Sequence, residues 1–170
     1  MSTSRDLLVD AFCRIRDTVH EVTEGLSPEE LAVRLDDGAN SIAWLVWHLT
    51  RVQDNHLADA AGTDEVWIAQ EWSQRYELPF SRFSTGYGHS PGDVAGVGGM
   101  PGELLVAYHD AVHEQTVKYL GTLTDADLDR VVDDAWTPAV TLGVRLVSVL
   151  SDDLQHAGQA AFVRGWLERP

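Results

Sequence analysis

The chain has 170 residues, 44% of them apolar, with 27 acidic against 12 basic side chains and a formal net charge of −15 at pH 7. That length suits one domain over 1–170 that buries its own core without disulfides or a structural metal, and the single cysteine, Cys13, has no partner for an internal bridge. The acidity argues against non-specific binding to nucleic acid or anionic membranes, which needs clustered Lys and Arg.

The N-terminal MSTSRDLLVDAF lacks the basic start and apolar run of a signal peptide, and nowhere do apolar residues approach the roughly 18 in a row that a spanning helix needs. A soluble, cytoplasmic protein is expected, and one free thiol fits a reducing compartment.

Residues 4–24 place Leu7, Leu8, Ala11, Phe12, Ile15, Val19 and Val22 at three-to-four spacing, the period of an amphipathic helix, and Gly25 stops it. Ser27-Pro28-Glu29-Glu30 supplies an N-cap, a proline at the first helical position and a capping-box glutamate for a short helix to about Leu35. From Asn40 or Ser41 to about Ala61 runs a second long helix, apolar around more than half its circumference at its start, which predicts deep burial there. A third helical stretch over 63–78 is predicted with Thr63 as its cap and Pro79 as its stop. Residues 79–100 hold six glycines and no helical period, which predicts one long loop of the kind that often carries function.

Helix resumes at about 101–120, with Leu104, Leu105, Tyr108, Val112, Thr116 and Tyr119 at helical spacing. The segment LTDADLDRVVDD then echoes LSPEELAVRLDD at residues 26–37, through either a weak internal repeat or a shared capping solution. A last long helix spans about 141–167. With no run of alternating strands, the predicted fold class is all-α, an antiparallel four-helix bundle with short extra helices.

Chemistry in such a bundle rests on polar side chains at inward positions. His48 lies within WLVWHL and reads as either a hydrogen-bonded core histidine or a ligand. Asp152 and His156 are four residues apart on one face of the last helix, with Arg145 and Ser148 upstream on nearly the same face. Alone that spacing is common on solvated helices. Together with His48 it makes two imidazoles and one carboxylate, the donor set of an open catalytic metal site. Asp153 is turned about 100° from Asp152 and is expected off the ligand face, reporting only general electrostatics. His20, His109 and His113 are expected to be exposed, and His56 to sit at the rim. Tyr87 and His89 in the glycine-rich loop are candidates to close over a substrate. Cys13, beside Phe12, reads as a buried thiol. Phosphate-binding loops, H-E-x-x-H and C-x-x-C are absent from the sequence.

In SIAWLVWHLTRV around His48 and DDLQHAGQAAFVRG around His156 the chain resembles the DinB/YfiT-like superfamily of four-helix metalloproteins, over nearly its whole length. The resemblance is strongest to actinobacterial members grouped with mycothiol-dependent enzymes. It implies a divalent ion at the positions of His48, Asp152 and His156, with zinc the expected ion and nickel the alternative. Many members have histidine where Asp152 stands; the mycothiol-dependent maleylpyruvate isomerases are similar in using a carboxylate there. Those isomerases also carry a second domain with active-site residues, for which this length leaves no room, so isomerase activity is not expected. The resemblance further implies that Arg51, Tyr87 and Arg145 lie near the metal to orient substrate.

The expected function is metal-dependent activation of a low-molecular-weight thiol, mycothiol by the resemblance, for transfer to a small electrophile. A metal-dependent hydrolase is one alternative. A non-catalytic metal-binding bundle or small-molecule binder is the other, and a homodimer is compatible with all three.

Overall fold

The structure is a computed structural model that describes residues 3–169; the domain expected over 1–170 thus includes three residues outside those described. Four long helices form a ring: α1 (Ser4–Thr23), α3 (Ile42–Ala61), α7 (Gly102–Thr122) and α8 (Leu142–Leu167). Between them lie four short helices: α2 (Pro28–Leu31), α4 (Val66–Ala69), α5 (Trp72–Tyr76) and α6 (Pro91–Ala95). A 3₁₀ turn (Asp125–Asp129) and a hairpin of β1 (Val131–Asp133) with β2 (Val140–Thr141) precede α8. The all-α class is as expected. The hairpin is an addition to it, too short to show alternation.

Local chemistry sets the helix starts. Thr3 with Asp6, Ser27 with Glu30, Ser90 with Asp93 and Thr124 with Asp127 each form a reciprocal capping box. The two echoing segments therefore share a capping solution, one as an α-turn and one as a 3₁₀ turn. Ser41 and Thr141 cap α3 and α8.

Each long helix packs against two others, α3 most extensively against α8. Contacts of Cys13 with His113 and of His20 with Asp110 make α1 and α7 antiparallel. His48 beside His156 and His56 beside Arg145 make α3 and α8 antiparallel. Thr50 against His109, and Tyr119 against Ala60, show that α3 and α7 run in the same direction. Parallel neighbours cannot be joined by a short turn, so residues 62–101 must travel back along α3 over a helix length of about 30 Å.

That return path departs from the sequence expectation in two places. The helix predicted over 63–78 is broken into α4 and α5 at Glu71, which takes a left-handed backbone conformation with φ 59°. Trp67 and Trp72 would point about 140° apart on one continuous helix. The break lets both rings pack on Tyr108, at 5.0 and 5.5 Å between centroids. Thr63 is not the cap. Asp54 of α3 instead accepts from the Val66 and Trp67 amides, both at 2.8 Å, and starts α4 from outside. In the segment 79–100, α6 interrupts the predicted loop and buries Val94, its Ser90-Pro91 start being the same signal as Ser27-Pro28.

The histidines of α7 also depart from expectation. His20 is partly exposed, but His109 is 0% and His113 8% exposed, because α7 is wedged between α1 and α3 and buries a wider arc than a surface helix. Cys13 is half-buried, its Sγ 3.8 Å from His113 Nε2. The Thr50 hydroxyl donates to the Val46 carbonyl and so accepts from His109 Nδ1–H at 3.0 Å, while His109 Nε2 has no partner.

Burial pushes the His109 pKa down from 6.5 to about 3, so the folded chain holds a neutral imidazole that the unfolded chain protonates. Stability from this group is full above the unfolded value and is lost as pH falls below about 6.5, at a limiting ~1.4 kcal/mol per pH unit. Denaturant unfolding of metal-free protein between pH 7 and 4 should show a steeper loss for the wild type than for His109→Leu. Equal slopes would mean that His109 is protonated in the fold.

Candidate metal centre

The N-terminal half of α3 is buried on every side from Ile42 to Arg51, so its one histidine there is held by packing. The Trp44 ring stacks on His48 at 4.5 Å and 18° and meets His156 edge-on at 6.3 Å. From α8, Asp152 and His156 project toward the same point one helical turn apart. His48, Asp152 and His156 each bring a ligand-type atom within 4.8 Å of the others, the one such group among the described residues.

Hydrogen bonding orients both imidazoles. His48 Nδ1–H donates to the Thr85 carbonyl at 2.5 Å, and His156 Nδ1–H donates to Gln159 Oε1 at 2.9 Å. Each ring is thereby fixed with its Nε2 lone pair free, the arrangement that outer partners impose on ligating histidines. Burial lowers the pKa of His48, which keeps that lone pair unprotonated near neutral pH. Asp152 Oδ1 stands 3.7 Å from His156 Nε2, and its Oδ2 is buried with no hydrogen-bond partner. An orphaned carboxylate oxygen beside two free imidazole lone pairs is a set of acceptors with no donor. A cation satisfies it, so the residues present fit a divalent metal. The side chains of His156 and Asp152 are 18% and 38% exposed, which leaves one side open.

Thr85 and Gly86 escaped the sequence reading. A Cβ on Gly86, which has φ +101°, would lie 2.5 Å from His48 Nδ1 and 3.1 Å from Trp44. Only glycine lets the returning chain lie this close to the imidazole. A backbone carbonyl leaves no trace in residue identity, and Gly86 was one of six glycines in its segment. Gln159 was visible in principle, three residues after His156 on the same face.

The remaining candidates are placed elsewhere. Arg51 is 0% exposed and bonds Glu65 at 2.6 Å, Tyr108 at 3.3 Å and the Ser84 carbonyl at 3.3 Å. It tethers the return segment to α3 and has no access to a substrate. Tyr87 is 95% exposed. His89 accepts from Trp44 Nε1 at 3.1 Å and stacks on Trp47 at 5.6 Å, so it buttresses Trp44 from behind. Arg145 pairs with His56 at 2.9 Å and Asp133 at 3.0 Å, two turns from Asp152. Ser148 is exposed and bonds its own helix. Asp153 is off the ligand face as expected. It is however 0% exposed, with both oxygens unpartnered and its pKa driven well up by burial. It faces the core, so its replacement reports on packing and is not the surface control the sequence suggested.

The family model of the DinB superfamily matches residues 11–160, and the chain belongs to that superfamily of metal-binding proteins. The fold is similar to one described as "Crystal structure of the conserved protein of locus from Enterococcus faecalis", with 28% identity, 96% of each chain covered and a TM-score of 0.90. No protein of curated function matches, and none of the described helices is long and apolar enough to cross a membrane.

Gly86→Ala should push the His48 ring off Thr85 while leaving the bundle folded. The expected readout is a changed His48 imidazole resonance and divalent-metal uptake weakened at least tenfold, a loss of the size outer-partner changes produce. Unchanged resonance and uptake would mean that the close approach of Gly86 does not position His48.

Proposed function

We propose that this DinB-superfamily chain is a divalent-metal-dependent enzyme of the cytoplasm that transfers a low-molecular-weight thiol of the mycothiol type to a small electrophile, with His48, Asp152 and His156 as the metal ligands. The observation that carries the reading is the trio itself: two imidazoles with Nδ1 engaged and Nε2 free, one carboxylate oxygen without a partner, and one open side. A closed four-ligand set would read as structural; three protein ligands leave a position to exchange.

A bound divalent metal stabilises the deprotonated form of a ligand such as a thiol at neutral pH. Two neutral imidazoles and one carboxylate leave such an ion one net positive charge, which one thiolate neutralises. Asp152 thus sets the charge of the site, where a third histidine would leave two. Transfer forms one bond from sulfur to the electrophile and releases the thiol proton with the leaving group. Trp44 keeps water from one flank of His48. A groove of about 510 Å³ lined in part by Leu45, Gln155, Gln159 and Phe162 meets the trio only through Gln159, the hydrogen-bond partner of His156, and has the size and mixed polarity for a small substrate. Zinc suits the donor set best and nickel next.

The same open site would serve a hydrolase, so the test must separate thiol from water chemistry. In cobalt-substituted protein, millimolar mycothiol or a simpler thiol should produce a new ultraviolet charge-transfer band. Asp152→Ala should lower metal affinity at least tenfold, about 1.4 kcal/mol, Asp152→His should retain metal, and Glu114→Gln, exposed on α7, should leave metal affinity unchanged. Affinity should also fall as pH drops, because both histidines must be neutral to ligate. A spectrum indifferent to thiols, with hydrolysis of simple esters or amides, would overturn the transfer reading.

A further inference from the structure

His89 of the return segment takes no part in the thiol chemistry, yet it is held between two hydrogen bonds. Its Nδ1 accepts from the Trp44 indole N–H at 3.1 Å, and its Nε2 lies 2.7 Å from the Ser84 hydroxyl. An indole N–H can only donate, so Nδ1 must carry the lone pair. The one ring hydrogen of the neutral imidazole is then on Nε2 and goes to Ser84 Oγ. This is the opposite tautomer to that of His48, whose Nδ1 holds the hydrogen.

That assignment closes a ring of contacts around a ligand. Ser84 Oγ also accepts from the Gly86 amide at 3.4 Å, and the Thr85 carbonyl between them accepts from His48. His48 stacks on Trp44, and Trp44 returns to His89. Trp47 stacks on the His89 ring and Phe80 meets it edge-on at 4.6 Å. None of Trp44, Trp47, Phe80 and Ser84 is a ligand, so the influence of His89 on the centre runs through Trp44.

A proton breaks this ring at one point. The imidazolium has a hydrogen on both nitrogens, so a protonated His89 turns an N–H toward the N–H of Trp44, and an indole that is only 5% exposed loses its acceptor. The bond to Ser84 survives, because it already uses Nε2–H. The charged or titratable groups that face His89 are Asp93 of α6 and His48 of α3. Asp93 favours the charged ring, whereas burial and a charged His48 oppose it.

We propose that His89 is a positioning residue for the metal centre that acts through Trp44 and only while uncharged. Neutral, it holds the indole stacked on His48; protonated, it releases the indole and with it the support of that ligand. The consequence for the metal rests on the ligand reading of the trio, whereas the latch itself belongs to the metal-free chain.

Metal-free protein with isotopically labelled tryptophan, titrated by NMR from about pH 8 to 5, reads the latch directly. The Trp44 indole resonance, identified by its loss in Trp44→Phe, should leave its hydrogen-bonded position with the same midpoint as the His89 ring. His89→Asn keeps an acceptor for the indole and has no proton to gain, so it should remove that change and leave only what His48 and His156 contribute. Zinc uptake by wild type and His89→Asn should match at about pH 8, and at about pH 5.5 the wild type should be weaker by about tenfold, the low end of what loss of an outer partner costs. An indole resonance that stays still while His89 titrates, or that shifts equally in His89→Asn, would overturn the latch. Equal zinc uptake at the lower pH would overturn its effect on the centre. A chain that takes up no zinc would fail the ligand reading, and the indole titration would still decide the latch.

Discussion

The parallel packing of α3 and α7 is the constraint on which the rest of the structure depends. Because the two helices run the same way, residues 62–101 must retrace the length of α3, and each part of that path finds a polar anchor on it. Asp54 accepts from the Val66 and Trp67 amides. Arg51 holds Glu65 and the Ser84 carbonyl, and the next carbonyl, Thr85, receives His48. Arg51 and Asp54 are fully buried within 3.6 Å of each other. Such a pair is not strongly stabilising by itself, but removing Arg51 would leave the buried Asp54 without an opposite charge, which costs about 3–5 kcal/mol. The network therefore fixes where the return segment runs more than it adds to stability. The orientation of His48 follows from that path.

The electrostatics of the centre follow from the same packing. Burial keeps His48 neutral, Thr85 and Gln159 fix both tautomers, and the Trp44 ring packs on the face of His48 and edge-on to His156. What is left is a small group of lone pairs with no hydrogen to share. The bundle interior holds further uncompensated polar groups at His109 and Asp153; burial keeps His109 neutral and drives the Asp153 pKa well up. They lie outside the ligand group, and their protonation links stability to pH through the core and not through the surface.

Much of this was legible in the sequence, because the signals involved are local. Periodicity marked the four long helices, and the capping residue Ser27 marked the start of α2. The Asp152–His156 spacing and a histidine amid tryptophans pointed to the group that the fold brings together. The rest depends on tertiary arrangement. The break at Glu71 is imposed by Trp67 and Trp72, which must both reach Tyr108, and α4 is capped by a residue of another helix. His109, His113 and Asp153 look like surface residues by type and are buried because of which neighbours α7 and α8 acquire. The substrate role that the family resemblance implied for Arg51 does not fit its enclosed side chain, whereas Tyr87 stands in solvent.

The central claim is that the return segment fixes His48 so that its Nε2 joins Asp152 and His156 around one ion. Anomalous diffraction from crystals of the zinc-loaded protein tests it most directly. The account predicts one peak per chain, ligated by His48 Nε2, His156 Nε2 and an Asp152 oxygen, with His48 Nδ1 still on the Thr85 carbonyl and a fourth position filled by solvent. A peak elsewhere, or a His48 that turns its Nδ1 to the metal and releases Thr85, would contradict it.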